Sequence, residues 1–282
     1  MIDVDFLSQL RRFSLIVKKR ITSSFAGEKK SFYTGQGLVF NDYRQYVPGD
    51  DFRTIDWNIY ARTDELFIKR FEEDKNLSVH ILIDTSKSMD YGRKNTKFEY
   101  ASMIALGYVY LSVRDNEKIH LSTFSKDLQT LRSDRGNNKV LGFLNHLNKV
   151  KCTGIANIDD LLTKYRKNIK SKSMIILISD FLMDSEKIKA VLHKFKNHDL
   201  KVIQVLHKNE INLNVRGSVI LKDSETDKEV KTYLSERMKN DYRKRMYDHI
   251  TMLMDECNRV NAKFNLFSTE QPVFEAFYKM VA

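Results

Sequence analysis

Proline and glycine are scarce. Two prolines, Pro48 and Pro272, and ten glycines in 282 residues leave little material for linkers, and no internal repeat or low-complexity tract interrupts the chain. Cysteine is scarcer still. Cys152 and Cys257 stand far apart and match no metal-ligand or redox spacing, which sets aside a disulfide scaffold, a thiolate metal centre and a dithiol catalyst. The pair reads as reduced and structural, in a cytoplasmic protein. No apolar run approaches the roughly 20 residues that cross a bilayer, and the N-terminus has no short apolar stretch ahead of a small-residue cleavage site. The chain also has no Gly-x-x-x-x-Gly-Lys phosphate loop, no His-x-x-x-His or His-Glu helix pair and no Gly-x-Ser-x-Gly elbow. It is therefore not expected to hydrolyse ATP, nor to be an enzyme.

What is present begins with a 42% hydrophobic content, enough for a real core, and a net charge of +11. Acidic residues are interleaved with the lysines almost everywhere, so the excess reads as a solvated surface and argues against a nucleic-acid footprint. From Ile2 to Phe25, apolar residues including Phe6, Leu10 and Phe13 alternate with Arg11, Arg12, Lys18, Lys19 and Arg20. This amphipathic segment is expected to dock on its own domain, with peripheral membrane contact as the alternative.

From residue 78 the pattern alternates between strand and helix, as in a doubly wound, mostly parallel α/β sheet. Strands are predicted at Val79 to Ile83, Ile119 to Phe124, Met174 to Ile178, Lys201 to Leu206 and Phe264 to Phe267. Helical spacing covers Lys97 to Val113, Val140 to Leu147, Ile158 to Ile169, Glu186 to Phe195 and Glu236 to Val260. A β-hairpin insert is predicted at about 217–233. The expected organisation is an N-terminal helical and extended segment, residues 1–77, packed on a main domain of residues 78–282.

In such sheets, ligands bind beyond the carboxyl ends of strands where the winding reverses. Two apolar strands end there in carboxylates: Val79 to Ile83 runs into Asp84, and Met174 to Ser179 into Asp180. After Asp84 the chain places Ser86 and Ser88 at period two. A strand that stops and turns can aim these hard oxygens into one small volume, which suits Mg²⁺ or Mn²⁺. The competing reading is a polar turn or helix cap at each position.

Asp84-Thr85-Ser86-Lys87-Ser88 resembles the Asp-x-Ser-x-Ser motif of the metal-ion-dependent adhesion site in von Willebrand factor A domains. The resemblance implies that both serines bind Mg²⁺ and that Asp84 and Asp180 hold its waters. A threonine should follow on a second loop, but Ala156 stands at that position in Gly154-Ile155-Ala156-Asn157-Ile158. Thr153, Asn157 or a water is then the candidate replacement.

A longer succession of motifs resembles the bacterial family known as domain of unknown function 58. It comprises Gly35-x-Gly37-Leu38-x-Phe40, Tyr46-Val47-Pro48-Gly49-Asp50-Asp51-x-Arg53-x-Ile55-Asp56-Trp57, Ala61-Arg62-Thr63, Phe71-Glu72-Glu73 and then the Asp84 motif. Members of that family are commonly encoded beside MoxR-type AAA+ ATPases. The resemblance implies an adaptor that joins such an ATPase to a protein client and captures a partner carboxylate through Mg²⁺. Arg53, Asp56, Arg62 and Asp64 are candidates for the ATPase surface, or for an ion-pair network that pins the extension to the sheet. The other classes are a metal-dependent hydrolase or nuclease, and a basic nucleic-acid or membrane-surface binder.

Overall fold

The computed structural model describes residues 2, 5–13, 39–72, 78–92, 95–115, 117–133, 139–154, 158–213, 215, 217–222 and 229–281. Contacts divide the chain into two compact units, residues 1–14 with 77–282 and residues 15–76. Sequence order would keep residues 1–77 together; contacts instead join the first fourteen to the sheet-bearing unit.

The smaller unit holds an antiparallel pair, β1 (Val39–Gln45) and β2 (Phe67–Glu72), with an irregular register between Phe40 and Asp42. Between these strands lie a 3₁₀ turn, Phe52–Thr54, and the helix α2 (Trp57–Thr63). Asp56 caps α2 by accepting from the Asn58 amide at 2.9 Å. The predicted strand around Leu66 to Phe71 is β2, whereas β1 and α2 had no readable period. One is polar and turn-flanked, and the other is only two turns long.

In the larger unit a helix over residues 5–13, α1, precedes the six-stranded sheet. The sheet takes the order β10-β7-β6-β3-β4-β5. Its members are β3 (Ser78–Asp84), β4 (Lys118–Phe124), β5 (Leu128–Ser133), β6 (Met174–Ser179), β7 (Asp199–Leu206) and β10 (Lys263–Ser268). Every pairing is parallel except β4 with β5. The doubly wound, mostly parallel α/β fold expected from the alternation is thus present. β3 and β6 are covered on both faces, which explains their apolar reading, interrupted inside β3 by the buried His80, whose Nδ1 lies 2.8 Å from Tyr165 Oη. The edge strand β5 escaped prediction because only Leu128 and Leu131 in it are apolar.

Helices α3 (Lys97–Arg114), α4 (Lys139–Lys149), α5 (Ile158–Arg166), α6 (Ser185–Lys194) and α8 (Glu236–Arg259) match the predicted helical stretches within a few residues. Two short ones were not legible, α7 (Lys208–Asn212) and α9 (Val273–Val281). The predicted insert is a separate two-stranded hairpin, β8 (Gly217–Lys222) with β9 (Glu229–Leu234).

Phe6, Leu10 and Phe13 of α1 are buried. Phe13 lies against the rings of Phe274, Phe277 and Tyr278 on α9, at 5.7, 5.6 and 4.8 Å between centroids. The apolar face of these residues is therefore covered by the protein's own C-terminal helix; residues 14–25 of the same stretch lie outside the described residues. Gly107 on α3 lets that layer approach, since a Cβ there would stand 2.1 Å from the Phe277 ring. No helix among the described residues is long and apolar enough to cross a membrane.

Candidate functional site

The chain leaves β3 for β4 on one side of the sheet and later returns to place β6 on the other side of β3. The winding reverses between β3 and β6, and their carboxyl ends open a crevice there. Asp84 ends β3 and Asp180 follows β6, so tertiary structure brings together the two carboxylates that lie 96 positions apart in sequence.

Backbone geometry aims each of them. After Asp84 the chain turns through a 3₁₀ segment, Lys87–Asp90, and the Ser86 amide donates to Asp84 Oδ1 at 2.8 Å. After Asp180, Phe181 takes φ 51°, a left-handed conformation that costs a non-glycine residue roughly 1 kcal/mol or more. Packing and two hydrogen bonds hold it there: its amide donates to Ser179 Oγ at 3.0 Å, and His249 Nε2 donates to its carbonyl at 2.8 Å. The helix-cap alternative for Asp180 is not what is seen, because Asp184 caps α6; the polar-turn alternative is, since Asp180 Oδ1 accepts from the Leu182 amide at 3.2 Å as Asp84 Oδ1 does from the Ser86 amide.

The side chains form one connected network. Ser179 Oγ donates to Asp84 Oδ2 at 2.6 Å, while Ser88 Oγ donates to Asp180 Oδ2 at 2.8 Å. Ser86 Oγ lies 3.0 Å from Ser88 Oγ, and with the Ser88 proton committed to Asp180, Ser86 is the donor. Lys97 Nζ, fully buried, sits 2.7 Å from Asp180 Oδ2 and 2.6 Å from Glu210 Oε1 on α7. Gln204 Nε2 donates to the Asp180 carbonyl at 2.8 Å, and its Oε1 is buried without a partner.

Electrostatics follow from this burial. Loss of water pushes the Asp84 carboxyl up to about 6, with Asp180 adding to the rise and hydrogen bonds from Ser179 and Ser86 opposing it. Burial alone would lower the Lys97 ammonium, but Asp180 and Glu210 outweigh it and hold it above its ordinary value. Burial pushes the Cys152 thiol up to about 12, which disfavours the thiolate form.

The donor set fits a hard divalent ion. Adjacent ligands of an octahedral Mg²⁺ with bonds of about 2.1 Å lie about 3.0 Å apart, the separation of the Ser86 and Ser88 hydroxyls. Asp84, Asp180 and Glu210 against one Lys97 leave an excess of negative charge for the ion to balance. Among the described residues no group of three or more His, Cys, Asp or Glu gathers for a metal, so hydroxyls and waters would supply most of its shell.

The remaining sequence candidates are distributed differently. Thr153 is exposed, and its amide donates to the Thr85 carbonyl at 3.0 Å, which ties its loop to the serine turn. Asn157 and Ala156 lie outside the described residues, as does the Gly35-x-Gly37-Leu38 motif. Asp56 is buried and engaged by Lys69 Nζ and Tyr43 Oη, each at 3.0 Å. Its carboxyl is held below the usual range by Lys69, against desolvation. Arg53 and Arg62 are exposed. In place of the ion-pair network expected among Arg53, Asp56, Arg62 and Asp64, Asp56 pairs with Lys69, which β2 carries past it.

Sequence reasoning missed Lys97, Glu210, Ser179 and Gln204. Lys97 left one trace: a lysine in the first turn of a helix opposes the macrodipole, so something else must hold it there. Here it is the carboxylate pair.

Comparison with known proteins places the chain among relatives at low identity. The uncharacterized protein Rv1480 of Mycobacterium tuberculosis is 23% identical over 229 residues, covering 79% of this chain and 72% of that protein. The uncharacterized protein YeaD of Bacillus subtilis is 20% identical over 183 residues, covering 65% of this chain and 43% of that one. Among solved structures, the conserved hypothetical protein BatB from Bacteroides thetaiotaomicron superposes with TM-score 0.45 at 14% identity, covering 73% of this chain and 97% of that chain. The manganese-loaded TRAP protein of Plasmodium vivax superposes with TM-score 0.35 at 19% identity, covering 45% of this chain and 56% of that one. The family described as Protein of unknown function DUF58 matches residues 42–252, well over half of the chain, and the protein belongs to that family.

Proposed function

We propose that this protein is a Mg²⁺-dependent interaction module that captures a carboxylate of a protein partner at the β3–β6 crevice. One observation carries the reading: two serine hydroxyls at ligand-edge separation, between carboxylates at neighbouring strand ends. Ser86 and Ser88 would hold the ion, with Asp84 and Asp180 supporting its waters. Bound there, Mg²⁺ supplies a Lewis-acidic position that neutral hydroxyl ligands leave electrophilic toward an incoming Asp or Glu. The chain's own part is to desolvate the carboxylates, orient the hydroxyls and keep Asp180 in place through Lys97 and Gln204.

Resemblance to a family commonly encoded beside MoxR-type AAA+ ATPases supports such an ATPase as the partner, with this chain as adaptor to a client protein. The test is recovery of the cognate ATPase on immobilised wild-type and Ser86→Ala protein, each with Mg²⁺ and with EDTA. Capture is expected only for wild type with Mg²⁺. Equal recovery in all four conditions would defeat the metal-bridged reading.

A further inference from the structure

Beside the crevice runs a groove of about 490 Å³ whose lining includes the candidate Thr153 but none of Asp84, Ser86, Ser88 and Asp180. It starts at Thr85, between Asp84 and Ser86, and at Thr153, whose amide holds the Thr85 carbonyl. It continues between the β4–β5 connection and the end of α4, past Lys126, Lys149 and Lys151, with Asp127 as its acidic member.

Lys126 is placed rather than merely present. Its aliphatic stem lies over Gly154, where a Cβ would stand 2.7 Å from its Cγ and Cε. Gly154 takes φ +75°, and its carbonyl accepts from the Lys87 amide at 3.0 Å, so the turn under Lys126 is fastened to the serine turn. The exposed Lys149 and Lys151 flank the chain as it leaves α4 for that same turn. Lys126, Lys149 and Lys151 thus line a concave polar channel that borders the serine motif at Thr85.

We propose that this groove binds an acidic peptide segment, several Asp or Glu residues long, continuous with the carboxylate captured at Ser86 and Ser88. The inference rests on the capture reading above and gives its partner a chemistry. Charge complementarity selects a polyanion. Among the described residues that line the groove, His146 alone offers a ring to a base, too little for a stacking platform, which favours a peptide over a nucleic acid. Flanking carboxylates on Lys126, Lys149 and Lys151 would distinguish a run of acidic residues from a lone one.

The experiment measures fluorescence anisotropy of a labelled deca-glutamate peptide with the full chain, in Mg²⁺ and in EDTA. A single-stranded oligonucleotide of equal charge serves as the competing probe. Wild type is compared with the triple variant Lys126→Glu, Lys149→Glu, Lys151→Glu. A charge-matched control carries Lys167→Glu, Lys170→Glu and Lys172→Glu, three exposed lysines at the opposite end of the sheet, before β6. The groove variant should weaken peptide binding by at least about tenfold while the control changes it little, because three ion pairs are lost in one case and only distant charge in the other. Equal loss in both triple variants, or tighter binding of the oligonucleotide than of the peptide, would overturn the proposal. If peptide binding ignores EDTA and Ser86→Ala yet falls in the groove variant, the groove stands and the ion-capture reading fails. If binding needs Mg²⁺ but not the three lysines, the groove fails alone. Thermal melts of both triple variants, expected to match wild type, confirm that these exposed substitutions leave the fold intact.

Discussion

Lys97 and Asp84 put opposite stresses on the crevice. Lys97 supplies a buried positive charge next to the carboxylate that a divalent ion would also use. Lys97→Met should cost roughly 3–5 kcal/mol in EDTA, because it leaves Asp180 and Glu210 without their counter-ion. Mg²⁺ should then restore more stability than it adds to wild type, as read by denaturant midpoints with and without the ion. An equal increment in both proteins would show that the lysine and the ion do not share Asp180. Asp84 is strained in the other direction. Its carboxyl rises from 3.8 to about 6 in the folded protein. Between those values the native state binds more protons than the unfolded one, so stability falls as pH rises through that window and stays reduced above it. The deficit at neutral pH is at most roughly 3 kcal/mol. Asp84→Asn should therefore stabilise the protein in EDTA at pH 7.5 by about 1–2 kcal/mol, part of the gain being lost with one acceptor for Ser179 or Ser86. The gain should vanish below pH 4, and the variant should no longer respond to Mg²⁺. A destabilised variant at pH 7.5 would mean that Asp84 is better satisfied than its burial implies.

At the level of elements, the close approach of α3 and α9 depends on a missing side chain. Gly107→Ala improves helix propensity by about 1 kcal/mol, yet its methyl would meet the Phe277 ring. Overpacking should win, with a net loss of about 1–2 kcal/mol in urea unfolding. A more stable variant would show that α9 yields easily. The same aromatic layer receives α1, and Phe13→Ala should cost about 3–4 kcal/mol through the cavity left among Phe274, Phe277 and Tyr278. These elements also show why some were legible in the sequence and others were not. β3 and β6 announce themselves because burial on both faces favours apolar residues nearly throughout, His80 in β3 being the buried exception. β5, α2 and α7 carry no period because each is short or lies at an edge, where pairing partners and caps decide the structure.

For the whole molecule, a ligand that binds only the folded chain must raise its stability. At ten times its Kd, Mg²⁺ adds about 1.4 kcal/mol, a rise of a few degrees in Tm for a chain of this size. Mn²⁺ should do the same, Na⁺ should not, and Ser86→Ala should abolish the shift. A Tm that ignores millimolar Mg²⁺ and Mn²⁺ would remove the ion from the crevice. The +11 net charge does not itself choose a partner; if the proposed groove is used, Lys126, Lys149 and Lys151 in its lining would favour an acidic one.

The amino-acid sequence alone determined the alternation of buried strands with amphipathic helices, hence the doubly wound sheet, and the position of Asp84, Ser86, Ser88 and Asp180 at strand ends. Those are properties of local period and polarity, which short stretches of chain encode by themselves. Only the tertiary structure decided that Lys97 and Glu210 enter the same cluster, that Lys69 takes Asp56 and that Lys126 is laid over Gly154. Each of these depends on elements distant in the chain meeting in space, and a buried charge is defined by its surroundings rather than by its neighbours in sequence.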